Sequence, residues 1–229
     1  MADEKNNATP KKGVIIEFDF AVLNGAELLY ETTKKLLAEG EVPFDKTAEA
    51  RYLAGGNYLG ALTEYYAEVK TKKTPQKAAK DLSERFIRAL NVAVPKAVDE
   101  NFKKFVAELA RPEVKVIIST RANLANVKDA FADIVKDNVE LYQETSQTYG
   151  ALKWDAWRRA AAHCRVRNTS TEVVTGSGYG VKNSLLAGMG AVAVLRDNVA
   201  YQDFSGADEI VTKLDEKVAK RILQILKVS

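Results

Sequence analysis

Glu17 and Asp19 stand two residues apart, directly after Val14, Ile15 and Ile16, an unbroken β-branched run. Such a run marks a strand buried on both faces of a parallel sheet. In an open α/β sheet, chemistry collects at the carboxyl ends of the strands. Two acids at i and i+2 on that edge are poorly explained as core, so the pair marks a candidate site. A second strand-like run, Val114 to Ile118, ends in Ser119, Thr120 and Arg121. A hydroxyl at a strand end, followed by a helix N-terminus, can cradle an anion because unpaired N–H groups point at the ligand. The same residue types also serve as plain helix caps, and both readings stay open. Gly176, Gly178 and Gly180 follow a third such run, Glu172 to Thr175. Their spacing is GxGxG with Val181 where the last glycine of a dinucleotide loop belongs, a poor match to GxGxxG, yet the glycines allow backbone amides to face an anion. His163, the single histidine, makes no metal site or triad by itself. Cys164 reads as a small buried hydrophobe, and Trp154 and Trp157 as packing residues. Arg158, Arg159, Arg165 and Arg167 read as a solvated helix face.

The elements that must position these groups alternate. Ala26 to Leu37 carries apolar residues at helical spacing (Leu28, Leu29, Leu36, Leu37) and stops at Gly40. From Val42 to about Lys104 the chain is nearly all helical in character. Tyr58, Leu59, Leu62, Tyr65 and Tyr66 form one stripe, and Leu82, Phe86, Ile87 and Leu90 another. After the Val114 strand the pattern predicts a helix from Asn123 to about Val135 and a strand over Val139–Gln143. A helix follows over Trp154–His163, then strands over Glu172–Thr175 and Gly190–Leu195, and one broken helix from about Ala207 onward. Strand–helix alternation of this kind gives a doubly wound parallel sheet.

The stretch IIEFDFAVLNGAE resembles the first motif of the haloacid dehalogenase-like (HAD) superfamily, in the branch of β-phosphoglucomutase and phosphoglycolate phosphatase. That motif reads roughly hhFDLDGVLVDSE. The resemblance puts Glu17 at the position of the nucleophile and Asp19 at that of the general acid/base, with Phe20 replacing a glycine. A slipped register would make Asp19 the nucleophile and leave Ala21 in place of the acid, at the expense of the flanking matches. VIIST resembles the second motif and supplies Ser119 for the phosphoryl oxygens, with Thr120 where Asn is common. ALKWDAWRRAA, from Ala151 to Ala161, is similar to the third, KPxPDxFxxAA. Asp155 and Trp157 fall in place, Ala151 stands where the lysine belongs, and Lys153 lies two residues along. EVVTGSGYGVKNSLLAGM, from Glu172 to Met189, resembles the fourth, VVVEDSPAGVEAAKAAGM. Ser177, Gly180-Val181 and Ala187-Gly188-Met189 match, whereas the two acids have become Thr175 and Gly176.

The resemblance implies an α/β, Rossmann-like doubly wound parallel sheet with an inserted helical cap. On it, residues 1–11 are a disordered tail, 12–27 plus 105–229 the HAD-like core, and 28–104 the cap. It implies Glu17 and Asp19 as the catalytic pair and Ser119, Thr120, Lys153 and Ser177 as phosphate-binding residues. The family's magnesium uses the nucleophile carboxylate, a backbone carbonyl and the acid lost at Gly176. Glu17 is then the one charged metal ligand left, since Glu172 enters its strand at the far end. Mg²⁺ wants hard oxygen ligands, usually with one or two carboxylates. Glu in place of Asp moves the carboxylate by about an ångström, and displacement of that size costs ~10²-fold. A single electrostatic donor is worth ~3 kcal/mol. The expected function is therefore that of a HAD-like protein with eroded phosphatase motifs, weak or inactive as a catalyst. It would act by binding a small phosphorylated ligand or a protein partner, without a cofactor. The alternative is an active phosphoester hydrolase or phosphomutase using Mg²⁺ on a small phosphorylated metabolite.

Composition agrees with a globular chain: 46% of its 229 residues are hydrophobic and 28% charged. A net charge of +3 is too small to argue for nucleic acid or an anionic membrane. The basic run from Lys70 to Lys80 has no interleaved aromatics for stacking bases. No apolar stretch reaches the length of a membrane span. One cysteine and a polar N-terminus without an apolar run give cytoplasmic as the expected location.

Overall fold

The β-branched runs do become strands: β1 (Lys12–Glu17), β2 (Val114–Thr120), β3 (Val139–Gln143), β4 (Thr171–Thr175) and β5 (Gly190–Val194). A sixth, β6 (Glu209–Val211), completes an all-parallel sheet ordered β3-β2-β1-β4-β5-β6 in this computed structural model. The structure describes residues 12–54, 56–136, 138–145 and 153–228. Strand β1 lies mid-sheet, with Ile15 between Ile117 and Val173, which is why its Val-Ile-Ile run is wholly buried. The chain runs outward from β1 through β2 to β3, then crosses to β4 and proceeds the other way. The strand order therefore reverses beside β1, and the carboxyl ends there form the crevice where open α/β sheets bind ligands.

Between β1 and β2 come α1 (Gly25–Ala38), α2 (Lys46–Ala48), α3 (Tyr58–Glu68), α4 (Pro75–Ala97) and α5 (Glu100–Leu109). In α4, Leu82, Phe86, Leu90 and Val94 repeat every fourth residue and are all buried, giving the helix one apolar stripe. That stripe packs on α1 and α3, forming the inserted helical cap. Pro75 opens α4 at a position needing no N–H. Asp99 breaks it from α5, its Oδ1 accepting the Phe102 N–H at 2.8 Å. Helix α5 packs on α9 (Glu216–Ile225) and on β2. On the opposite face, Ile15, Ile117 and Val173 meet Trp157, Ala160 and Ala161 of α7 (Trp154–His163).

Three sequence expectations are corrected. The segment after Ala207 is not a single helix, because β6 precedes α9. Strand β6 is three residues long on the sheet edge with Ile210 half-exposed, too short for an alternation to show. The helix predicted over Asn123–Val135 ends early: α6 (Leu124–Val127) gives way to a 3₁₀ turn, Lys128–Phe131. That turn delivers Phe131 edge-on to Phe18 at 5.1 Å. Of the two tryptophans, Trp157 is fully buried, but Trp154 opens α7 and is 43% exposed, with Arg158 over its ring. Among the described residues, no helix is long and apolar enough to cross a membrane.

Candidate active site

Directly after β1, Phe18–Val22 makes one turn of π-helix, closed by Leu23 N–H donating to the Phe18 carbonyl at 3.0 Å. This turn carries Asp19 and Phe20 and is wedged in place by two glycines. A Cβ on Gly25 would fall 2.1 Å from the Asp19 carbonyl oxygen, and one on Gly176 would fall 2.0 Å from that of Phe20. Arg196, just past β5, donates its Nη2 to the Ala21 and Val22 carbonyls at 3.1 and 2.9 Å, so these buried acceptors find partners.

The two acids are 2% (Glu17) and 1% (Asp19) exposed. Glu17 faces Ser119 across the β1–β2 ladder, and its Oε2 accepts from the Thr175 hydroxyl at the end of β4. Burial pushes the Glu17 carboxyl up to about 7, with the Thr175 bond and Arg121 pulling down and Asp19 adding a smaller upward push. Asp19 accepts the Thr120 hydroxyl at 2.6 Å, the Arg121 main-chain N–H at 2.9 Å and Arg121 Nε at 3.3 Å. The Arg121 side chain is itself 10% exposed. Burial opposes its charge, but Tyr58, Asp19 and Glu17 outweigh that and hold it protonated above the ordinary range. Its guanidinium carbon also sits 4.8 Å from the Phe86 ring centre and 5.6 Å from that of Phe20.

The structure thus brings together Glu17, Asp19, Ser119 and Thr120. The anion cradle expected at the end of β2 exists, but the anion in it is the chain's own Asp19. Ser177 is buried nearby as the cap of α8 (Gly178–Leu186), accepting the Gly180 N–H at 3.0 Å. Lys153 stands exposed just before α7, while the charges felt by Glu17 are those of Arg121 and Asp19. Ala151, the matched lysine position, lies outside the described residues. The glycine loop holds no open amides at Gly178 and Gly180. Gly178 N–H donates to Gln202 Oε1 at 2.8 Å, and Gly180 N–H is spent on Ser177. The sequence pattern marks Arg121 as a strand-end residue and Tyr58 and Phe86 as members of helical stripes, with no sign that the three meet at the acids. The available signal was an arginine immediately after a strand-ending Ser-Thr pair, in reach of two acids.

These donors do not make a Mg²⁺ site. The position of the second metal acid is Gly176, whose Cα side is filled by the Phe20 carbonyl. A fixed cation, Arg121, already occupies the neighbourhood of Asp19. Among the described residues, no cluster of three or more His, Cys, Asp or Glu is arranged to hold an ion. Glu172 faces Asp208 and Gly190 at the other edge of the sheet. The crevice between cap and sheet encloses a cavity of about 30 Å³, walled by Phe20, Leu29, Leu53, Tyr58, Ser177 and Tyr201. That is room for one or two waters, and neither Glu17 nor Asp19 lines it. Beyond Ala54, Tyr179 and Tyr201 it adjoins an open groove of about 520 Å³ that includes Gly178, Lys182 and Gln202.

No protein-family profile matches the sequence, and no curated protein matches it either. Solved structures do. β-Phosphoglucomutase from Clostridium difficile superposes with a TM-score of 0.68 at 11% identity, over 95% of this chain and 97% of that one. CbbY from Rhodobacter sphaeroides, crystallised with phosphate, gives 0.65 at 15% identity, over 89% and 95%. A HAD family hydrolase from Deinococcus radiodurans, with bound phosphate and sodium, gives 0.58 at 17% identity, over 96% and 97%. The chain shares the fold of these structures, a parallel α/β sheet of the HAD-like type with an inserted helical cap.

Proposed function

We propose that this HAD-fold chain has given up efficient phosphoryl transfer and acts by binding a small phosphorylated ligand or a protein partner. In this reading the chain is a cytoplasmic protein with core 12–27 plus 105–229 and cap 28–104. The carrying observation is the closure of the site around itself: Asp19 fills the oxyanion cradle and the Phe20 carbonyl fills the place of the metal acid. Phosphoryl transfer depends on cations that neutralise developing charge at the transferred group. Here the cation on hand is spent on Asp19, and Glu17 is held by Thr175. The enclosed cavity of about 30 Å³ is far below the ~300 Å³ or more of a small-molecule site. A phosphorylated ligand reaching Glu17 and Asp19 would therefore need the cap to lift, whereas one in the open groove of about 520 Å³ beside Gly178, Tyr179 and Lys182, or a partner on the outer surface, would not.

The test is turnover of p-nitrophenyl phosphate by the purified chain with and without Mg²⁺. The expected rate does not depend on Mg²⁺ and matches that of Glu17→Ala. Brisk Mg²⁺-dependent release that disappears in Glu17→Ala overturns the proposal. One observation favours the hydrolase or phosphomutase reading: Glu17, Asp19, Ser119 and Thr120 do converge at one strand end.

A further inference from the structure

We propose that Arg121 is the resident cation of this site and the clasp that holds the helical cap against the sheet. The guanidinium is rooted at the end of β2. On the sheet side it is tied to Asp19 through Nε at 3.3 Å, while its own main-chain N–H holds the same carboxylate oxygen at 2.9 Å. On the cap side it lies over Phe86 of α4 at 4.8 Å and faces Tyr58 of α3. Phe20 and Phe86, one from each part, are 6.2 Å apart, so the cation and two rings form one cluster spanning the junction. A second bond runs the same way two residues on, Asn123 N–H to Asn91 Oδ1 of α4 at 2.8 Å.

The arrangement gives each of the two buried acids its own partner. A single delocalised charge serves Asp19, and a hydroxyl serves Glu17. Arginine suits this position better than lysine because its planar, weakly hydrated head can pair and stack at once. A desolvated cation over an aromatic face is among the stronger side-chain contacts. Cap closure is then built into the chain's own charges instead of being supplied by a bound ion. This goes beyond the proposed function: the clasp stands or falls whether or not any catalysis survives.

Hydrogen exchange of the full chain tests it. In Arg121→Met and in Phe86→Leu, the amides of α3 and α4 should exchange about tenfold faster, the loss expected of one desolvated cation–π contact. Those of β4 and β5 should keep their protection. Phe86→Leu retains the ion pair and most of the apolar volume, so it carries the test if Arg121→Met does not fold. Unchanged protection of α3 and α4 in Phe86→Leu overturns the clasp, as does a uniform rise along the whole chain. In a separate arm, millimolar Mg²⁺ should leave the melting temperature of the wild-type chain unmoved. An upward shift that Glu17→Gln abolishes would show that a metal, and not Arg121, is the cation of the site.

Discussion

The carbonyl of Phe20 pressing on Gly176 decides what a single substitution can do. Gly176→Asp restores the residue type that the resemblance asks for, yet its Cβ would start 2.0 Å from that oxygen. Overpacking of a rigid site costs roughly 1–3 kcal/mol or more. The variant should lose at least that in urea denaturation and gain no Mg²⁺-dependent stability; a metal-induced rise would contradict the geometry. Glu17 gives a second expectation, with its sign fixed by burial. Its folded value of about 7 lies above the ordinary 4.5, so the fold favours the protonated form. That contribution is fully present below about 4.5 and is lost as pH rises through about 7. Glu17→Gln mimics the protonated acid and still accepts from Thr175. It should stabilise the chain by up to ~3 kcal/mol at about pH 8 and hardly at all near pH 4; equal effects at both would refute the assignment. The two acids were legible in the sequence as a site. Their partners were not, because Thr120 and Thr175 lie 101 and 158 residues away along the chain and no local pattern links them.

At the scale of elements, the strands were the readable part. Runs such as Val116–Ile118 and Val173–Val174 are buried on both faces, and that demand writes itself into composition. Strand β6 hid because an exposed edge imposes no such demand. Helix boundaries depend on single caps, and Asp99 is one that can be weighed. Asp99→Ala should cost about 1 kcal/mol and Asp99→Asn much less, since either Asp or Asn can accept the Phe102 N–H; equal losses in thermal denaturation would locate the role elsewhere. At the far edge of β4, burial and then Asp208 push Glu172 up to about 7. Stability from this group likewise falls as pH rises from about 4.5 through 7. Glu172→Gln should flatten that part of the stability–pH curve independently of Glu17→Gln, the two residues sitting at opposite ends of neighbouring strands.

Across the whole molecule, the apolar residues of the cap and those of one sheet face belong to a single buried cluster, running from Leu62, Leu82 and Phe86 through Phe20 and Phe18 to Ile118 and Ile222. A shared core couples the global melting of its parts, whereas the brief openings that exchange cap amides under native conditions stay local. Of the two tryptophans on α7, Trp157 is buried against the sheet face away from the cap, so the fluorescence change on its exposure reports the sheet while far-UV circular dichroism is weighted toward the helices. The two signals should give coincident unfolding curves in urea; helix loss preceding the tryptophan change would mean that the cap melts alone. The sequence made the cap visible as an insertion, through helical stripes between the first two strands. It could not show that the inserted block shares its interior with the host. For protein engineering the consequence is a loss of modularity. A foreign cap would have to offer Phe20 the seat that Phe86 gives it here, so a transplant would have to carry its own floor.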